Sequence, residues 1–349
     1  MKITHFHFGK DGGAERFYVN LVNALAKRDV EQISVIRPNR GWKASIENAT
    51  EIIESHFRNF SLDKILLPLR VKKLAKEWQP DAMMAWMPKG AKLMPNYSKA
   101  MRVARLGDYP TSLKHFKNID CLVCNTPGIA EHVKQMGWPR DVEVISNFTN
   151  TKRAKPMDRA TLNTPKNAFV ITSMGRFVPR KGFDVLIDAL ADTKDAYLWI
   201  LGEGEQEENL KAQAKSLGVE DRIRWAGWQK DPSQFVAASD IFAMASSHEP
   251  LGNVVLEAWA QKVPVVSTRS EGPTWFMKDG SNGLLVDIGD AKGFANAFAK
   301  IRKSKMLGRK IVKGGSKTLN DMFSEEAICR QYIELFGRKS TKQTTQLYL

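Results

Sequence analysis

The strongest constraint on this chain is an alternation of short apolar runs with longer amphipathic stretches, and it occurs twice. Between residues 1 and 150 the runs KITHFHF, EQISVIRP, DAMMAWM, RVARLG, DCLVCNT and VEVISN alternate with segments of helical period such as 14–27 and 63–77. Strand-length runs that recur after helical stretches imply βαβ units, and so a parallel sheet covered on both faces. Residues 147–165, NFTNTKRAKPMDRATLNTP, break the pattern: they are polar, carry two prolines and show no apolar period. The alternation restarts with AFVITSMGR, AYLWILG, RIRWAG, IFAMAS, VPVVST and GLLV. The sequence therefore predicts an α/β protein of two Rossmann-like, doubly wound domains. The first spans 1–150, a linker 151–165 and the second domain 166–323. A C-terminal helix and tail over 324–349 follow, with Ser324 as the helix cap. Such sheets take ligands at the carboxyl ends of their strands, which places the expected site in the cleft between the domains.

Composition narrows the class. The chain has 349 residues and 43% hydrophobic content, enough for two cores. Its N-terminus lacks the apolar segment of a signal peptide, and no apolar run approaches the roughly 20 residues that span a bilayer. Three cysteines give no disulfide framework, so a cytoplasmic protein is expected. Cys121 and Cys124 form a C-x-x-C with no second ligand pair, and are read as buried strand residues. The formal net charge is +15, and residues 1–165 hold 27 Lys+Arg against 16 Asp+Glu, compared with 26 against 22 in 166–349. A basic first half suits nucleic acid, anionic lipid or an acidic acceptor, and equally a solvated basic surface. Nucleic acid is disfavoured because no module interleaves basic and aromatic residues.

Three loops carry the candidate chemistry. In FGKDGGAERFYVNLV, Gly9, Gly12 and Gly13 lie between the first strand and first helix, where backbone N–H groups can approach an anion. In SMGRFVPRKGFDVLIDAL a strand ends at Gly175, and Arg176, Arg180 and Lys181 crowd the short loop beyond it, suited to a diphosphate. In SSHEPLGNVVLEAWAQ a loop leads into a helix expected to start near Gly252, where the backbone N–H groups of Gly252, Asn253 and Val254 precede the intrahelical ladder and are expected to be able to bind phosphate. Glu257 lies one turn inside that apolar helix. It either complements the helix dipole or accepts hydrogen bonds from vicinal sugar hydroxyls. There is no D-x-D, no phosphate-binding G-x-x-x-x-G-K-[ST], no G-x-S-x-G and no histidine cluster among His5, His7, His56, His115, His132 and His248.

The set GRFVPRKG, LGEGE, AGW, HEPLGNVVLEAWAQKVPVVST and EGPTWFMKDGSNGLLV resembles the family 4 retaining glycosyltransferases of GT-B fold, strongly over 168–288 and loosely elsewhere. The resemblance implies two Rossmann-like domains facing a central cleft and an EC 2.4, hexosyltransferase-type activity. It implies that Arg176 and Lys181 hold the donor diphosphate, that Glu249 contacts the transferred sugar and that Glu257 binds the ribose. Gly175, Leu251, Gly252 and Asn253 would complete the donor site. Trp228 would face the base, and Gly12 and Gly13 would approach from the other domain. No metal and no cofactor are implied, since the nucleotide sugar is a substrate. Many relatives place a histidine near the reacting carbon, where this chain has Gly107 and Asp108; Asp108 is the candidate there and His115 a weaker one. The basic first domain points to an anionic glycan or glycolipid acceptor, as in lipopolysaccharide, and to peripheral contact with an anionic inner membrane. A non-catalytic nucleotide-sugar binder and a nucleotide-sugar epimerase of the same architecture are the alternatives.

Overall fold

A computed structural model describes residues 1–9, 12–57 and 62–338. Packing divides the chain into two units, Met1–Phe148 with Glu325–Leu349, and Thr149–Ser324. In the first, β1 (Lys2–His7), β2 (Glu31–Ile36), β3 (Glu51–Glu54), β4 (Ala82–Ala85), β5 (Met101–Leu106), β6 (Cys121–Cys124) and β7 (Asp141–Val144) form one parallel sheet in the order β3-β2-β1-β4-β5-β6-β7. Helices α1 (Gly13–Ala26), α2 (Asp63–Trp78), α3 (Pro88–Ala91) and α4 (Pro127–Gln135) connect them. In α1 Tyr18, Leu21, Val22 and Leu25 recur at three- and four-residue steps and are all buried, the stripe that seats a helix on a sheet.

In the second unit β8 (Phe169–Met174), β9 (Ala196–Leu201), β10 (Ile223–Gly227), β11 (Ile241–Met244), β12 (Val265–Thr268) and β13 (Leu284–Val286) form a parallel sheet ordered β10-β9-β8-β11-β12-β13. Between and after these strands lie α5 (Phe183–Ala191), α6 (Glu207–Ser216), α7 (Ser233–Ala237), α8 (Asn253–Ala260), α9 (Glu271–Phe276), α10 (Ala291–Lys303) and α11 (Lys305–Phe323). Both sheets reverse direction of growth beside their first strand, the order 3-2-1-4-5-6 of a dinucleotide-type fold, with a seventh strand added in the first.

Three features depart from the sequence reading. Strand β3, EIIE, was not among the expected runs; it is a four-residue sheet edge flanked by charge, too short for a clear period. Residues 151–165, expected as a linker, pack within the second unit. The Arg159 guanidinium donates to the carbonyls of Ala168 (2.6 Å) and Ala238 (2.7 and 2.9 Å) and to Asp240 (3.0 Å). Gln261 bridges Lys152 O and Ala154 N at 2.9 and 2.8 Å. Polar side chains clamp this segment to backbone, so apolar periodicity carries no trace of it. The C-terminal helix α12 (Glu325–Phe336) belongs to the first unit, where Ile328, Cys329, Tyr332, Leu335 and Phe336 join the apolar cluster of Phe17, Trp86 and Phe148. Arg28 tethers its start through Glu325 and Glu326 at 3.0 and 2.6 Å.

Cys121 and Cys124 are buried, and burial pushes both thiols up to about 12. Three residues apart in a strand, they point to opposite faces and pack in different clusters. They therefore cannot share a ligand.

Candidate active site

The second sheet reverses between β8 and β11, so the loops leaving these two strands flank its switch point. Glycines let these loops and their neighbour from β9 lie against one another. Gly202, just past β9, has φ +146°, and a Cβ there would stand 1.9 Å from Gly175 O. Gly175 N donates to Leu201 O (2.9 Å) and Phe177 N to Glu203 O (2.8 Å), locking the β8 loop to the β9 loop. Phe177 is buried and packs edge-on against Phe183 and Trp225, anchoring the turn. Gly182 (φ +64°) caps α5, and a Cβ there would meet Ala245 O at 2.2 Å, so only glycine lets the β8 loop touch the β11 loop. Ser247 N then donates to Arg180 O at 2.9 Å.

This interlock brings Lys181 to Glu249, with Nζ donating to Oε2 at 2.5 Å and side chains 17% and 14% exposed. Ser246 Oγ adds a longer contact of 3.4 Å to the same carboxylate oxygen. A largely buried ion pair gives up hydration, and a cation and anion kept there at that cost form a binding constellation as readily as a strut. Arg180 is spent on the loop itself, donating to His248 O at 3.2 Å. Arg176 is exposed, and among the described residues its side chain has no hydrogen bond or ion pair. It is a cation available beside the pair in sequence and loop.

On the β11 side, Gly252 (φ +93°) caps α8, whose first residue is Asn253. Glu257, one turn in, is 7% exposed. Leu251 is buried in the apolar cluster of α8, so its side chain serves packing. Trp228 lies just past β10, 63% exposed, its backbone N–H donating to Glu203 Oε1 at 3.3 Å.

The structure adds Glu271, the first residue of EGPTWF, to which the sequence assigns no role. Its carboxylate takes Glu249 N (3.1 Å) and pairs with His248 Nδ1 (2.8 Å), while Gly272 N donates to Glu249 O (2.9 Å). Burial pushes the Glu271 carboxyl up, but hydrogen bonds from His248 and from backbone N–H groups outweigh it and hold it below the usual range. A carboxylate 22 residues downstream thus fixes the backbone of the sugar-facing candidate; only its place in the EGP motif signals it.

In the first unit, Gly12 caps α1 with extended backbone. Glu15, 6% exposed in the first turn, folds back so that its Oε1 lies 1.8 Å from the position a Cβ on Gly9 would take. Gly13 opens α1. Asp108 is exposed just past β5, its Oδ1 accepting Tyr109 N at 2.8 Å. His115 is half-buried, and burial with Lys92 and Lys114 nearby lowers its basicity. Among the described residues no cluster of His, Cys, Asp or Glu is arranged to hold a metal ion. A groove of about 940 Å³, lined by Arg153, Lys262, Arg302, Lys305, Arg309 and Lys313 among others, also reaches Phe169 and Asp240 at the amino ends of β8 and β11. It therefore lies at the far end of the sheet from the Lys181–Glu249 pair.

Residues 154–318 match the family model described as glycosyl transferases group 1. The chain is 60% identical over 339 residues to the lipopolysaccharide core biosynthesis glycosyltransferase LpsE of Rhizobium meliloti, covering 97% of this chain and 100% of that protein. Its similarity to LpsD of the same organism, named likewise, is 47% over 98% of this chain and 100% of the relative. Among solved structures, Anabaena HepE in complex with UDP aligns with a TM-score of 0.80 at 24% identity, covering 96% of this chain and 99% of that one. At that identity the likeness speaks to the fold.

Proposed function

The chain belongs to the glycosyl transferases group 1, and on that premise we propose that it moves a sugar, with retention, from a nucleoside diphosphate sugar to a hydroxyl of an anionic lipopolysaccharide core acceptor. The observation that carries the donor half is the Lys181–Glu249 pair at the switch point of the second sheet. Lys181 and Arg176 neutralise the charge that grows on the diphosphate as the sugar–oxygen bond breaks. Glu249 accepts hydrogen bonds from hydroxyls of the transferred sugar, and Glu257 from the ribose. Amides at the start of α8 meet the phosphates, and Trp228 faces the base. The acceptor oxygen bonds to the anomeric carbon on the face the diphosphate leaves, and its proton passes to the departing phosphate oxygen. Cations of the chain supply the counter-charge in this scheme, without metal or cofactor.

The acceptor half is supported by the names of the two Rhizobium relatives and by the basic excess of the first 165 residues. Among the described residues no helix is long and apolar enough to cross a membrane. The reading places the protein in the cytoplasm, at the inner face of the membrane where a lipid-borne acceptor is built.

A thermal-shift screen of UDP-, GDP- and ADP-sugars, with and without chelator, tests the donor half. A ligand at 100 times its Kd stabilises by roughly 2.7 kcal/mol. One nucleotide series is expected to shift the transition equally in both conditions, and labelled sugar is expected to appear in core oligosaccharide. Tight binding without any turnover, or epimerised donor without acceptor product, would overturn the transfer.

A further inference from the structure

Helix α2 in the first unit exposes more aliphatic surface than a water-facing helix needs. Leu62, its N-cap, is 78% exposed, Ile65 68%, Leu66 49% and Leu69 58%. Positions i, i+3, i+4 and i+7 share one face of a helix. The core side is a different stripe: Leu67, Val71 and Ala75 are at most 2% exposed and pack with Phe6, Val35 and Met83. Leu69 is two residues, about 200° of helix rotation, from Val71. The helix therefore carries two apolar stripes on opposite sides, and only one is used by the fold.

Charge completes the pattern. Lys64, Arg70, Lys72, Lys73 and Lys76 accompany two acids, and both acids are engaged. Asp63 accepts Ser55 Oγ (2.8 Å) and His56 N (2.9 Å), and Glu77 pairs with Lys73 (3.7 Å). Lys64, Arg70, Lys72 and Lys76 have no carboxylate partner among the described residues. Lys73 and Lys76 lie four and seven residues beyond Leu69, so the outward stripe turns from aliphatic to basic along its length.

We propose that this face of α2 docks the protein on an anionic lipid bilayer, Leu62, Ile65, Leu66 and Leu69 entering the headgroup–acyl boundary while Arg70, Lys72 and Lys76 meet acidic headgroups. A second copy of the chain is a poorer occupant, because the stripe would set lysines against lysines. A protein partner is poorer as well, since such interfaces favour aromatic residues and shed lysine, and this stripe has lysines and no aromatic ring. The proposal deepens the reading of a lipid-borne acceptor, whereas the docking itself requires no sugar transfer.

Co-sedimentation of the full chain with phosphatidylcholine vesicles, with and without phosphatidylglycerol, tests it. The wild type is expected to pellet with the anionic vesicles and to partition at least tenfold less onto neutral ones. Leu62→Ser/Ile65→Ser/Leu69→Ser should weaken partition at least tenfold, and Lys72→Glu/Lys76→Glu should remove its salt-sensitive part. All these positions are exposed, so nucleotide-sugar thermal shifts should match wild type and report an intact fold and donor site. Wild type left in the supernatant with anionic vesicles overturns the proposal. So do variants that pellet like wild type, or a triple variant that alters only oligomeric state on size exclusion. Loss of sugar transfer with pelleting intact would instead count against the enzymatic reading alone.

Discussion

Lys181 and Glu249 share one hydrogen bond, and that bond decides how each should respond to substitution. A diphosphate must compete with Glu249 for the Lys181 ammonium. Glu249→Gln removes the competing charge while keeping the shape. It should tighten binding of the bare nucleoside diphosphate by severalfold and lower transfer at least tenfold, because the sugar loses an anionic acceptor. Calorimetry with the nucleotide and initial rates with the sugar donor separate these effects; weaker nucleotide binding would mean that Glu249 only props Lys181. Lys181→Ala and Arg176→Ala should each cost at least tenfold in turnover, about 1.4 kcal/mol of barrier. Near-wild-type rates in both would remove the phosphate role. At this scale the sequence offers candidates where residue type alone implies chemistry, as with two loop cations and a carboxylate in an apolar helix. Glu271 stayed hidden, because its work is to hold the Glu249 backbone, a contact between segments 22 residues apart that no local pattern encodes.

Elements position the candidate loops more firmly than individual motifs do. The βαβ alternation required parallel sheets, and parallel sheets of this strand order put loops from β8 and β11 side by side. What periodicity could not supply is the interlock, which depends on backbone approaching backbone where side chains are absent. Gly202 shows the point. LGEGE fails as a dinucleotide fingerprint, yet its first glycine is needed because Gly175 O occupies the place of a Cβ. Gly202→Val should therefore push the β8 loop outward and carry Lys181 off Glu249. We expect destabilisation of about 1–3 kcal/mol from clash and strained φ. Donor affinity should fall more than in Gly218→Ala, where φ is also positive (+64°) but nothing lies within 4 Å. Thermal melts with and without nucleotide make the comparison, and equal losses of affinity would reduce Gly202 to an ordinary turn.

At the scale of the whole chain, each unit is closed by a segment the sequence assigned elsewhere. Helix α12 returns to the first unit and the residues around Arg159 join the second, because long-range packing fixes both and local period fixes neither. The first unit also buries two histidines that the sequence treated only as non-ligands. Burial pushes His5 down to about 4. It pushes His7 to about 3, helped by the nearby charges of His5, Arg40 and Arg105. His5 sits between Gln32 Oε1 (3.0 Å) and Trp86 Nε1 (3.2 Å), and the His7 ring lies against Tyr18, Trp42 and Trp86. Below the unfolded value near 6.5, the unfolded chain binds protons that the folded unit refuses, so unfolding becomes easier as pH falls towards the folded values. Each histidine should cost on the order of 2 kcal/mol between pH 7 and pH 5. His7→Phe forfeits the 3.2 Å bond from Gly9 N, and should be somewhat less stable at pH 7 yet lose less stability on acidification. Urea titrations at both pH values, read by the tryptophans of the first unit, measure the difference. An unchanged pH slope would mean that His7 takes a proton in place and that the aromatic box around it opens to water.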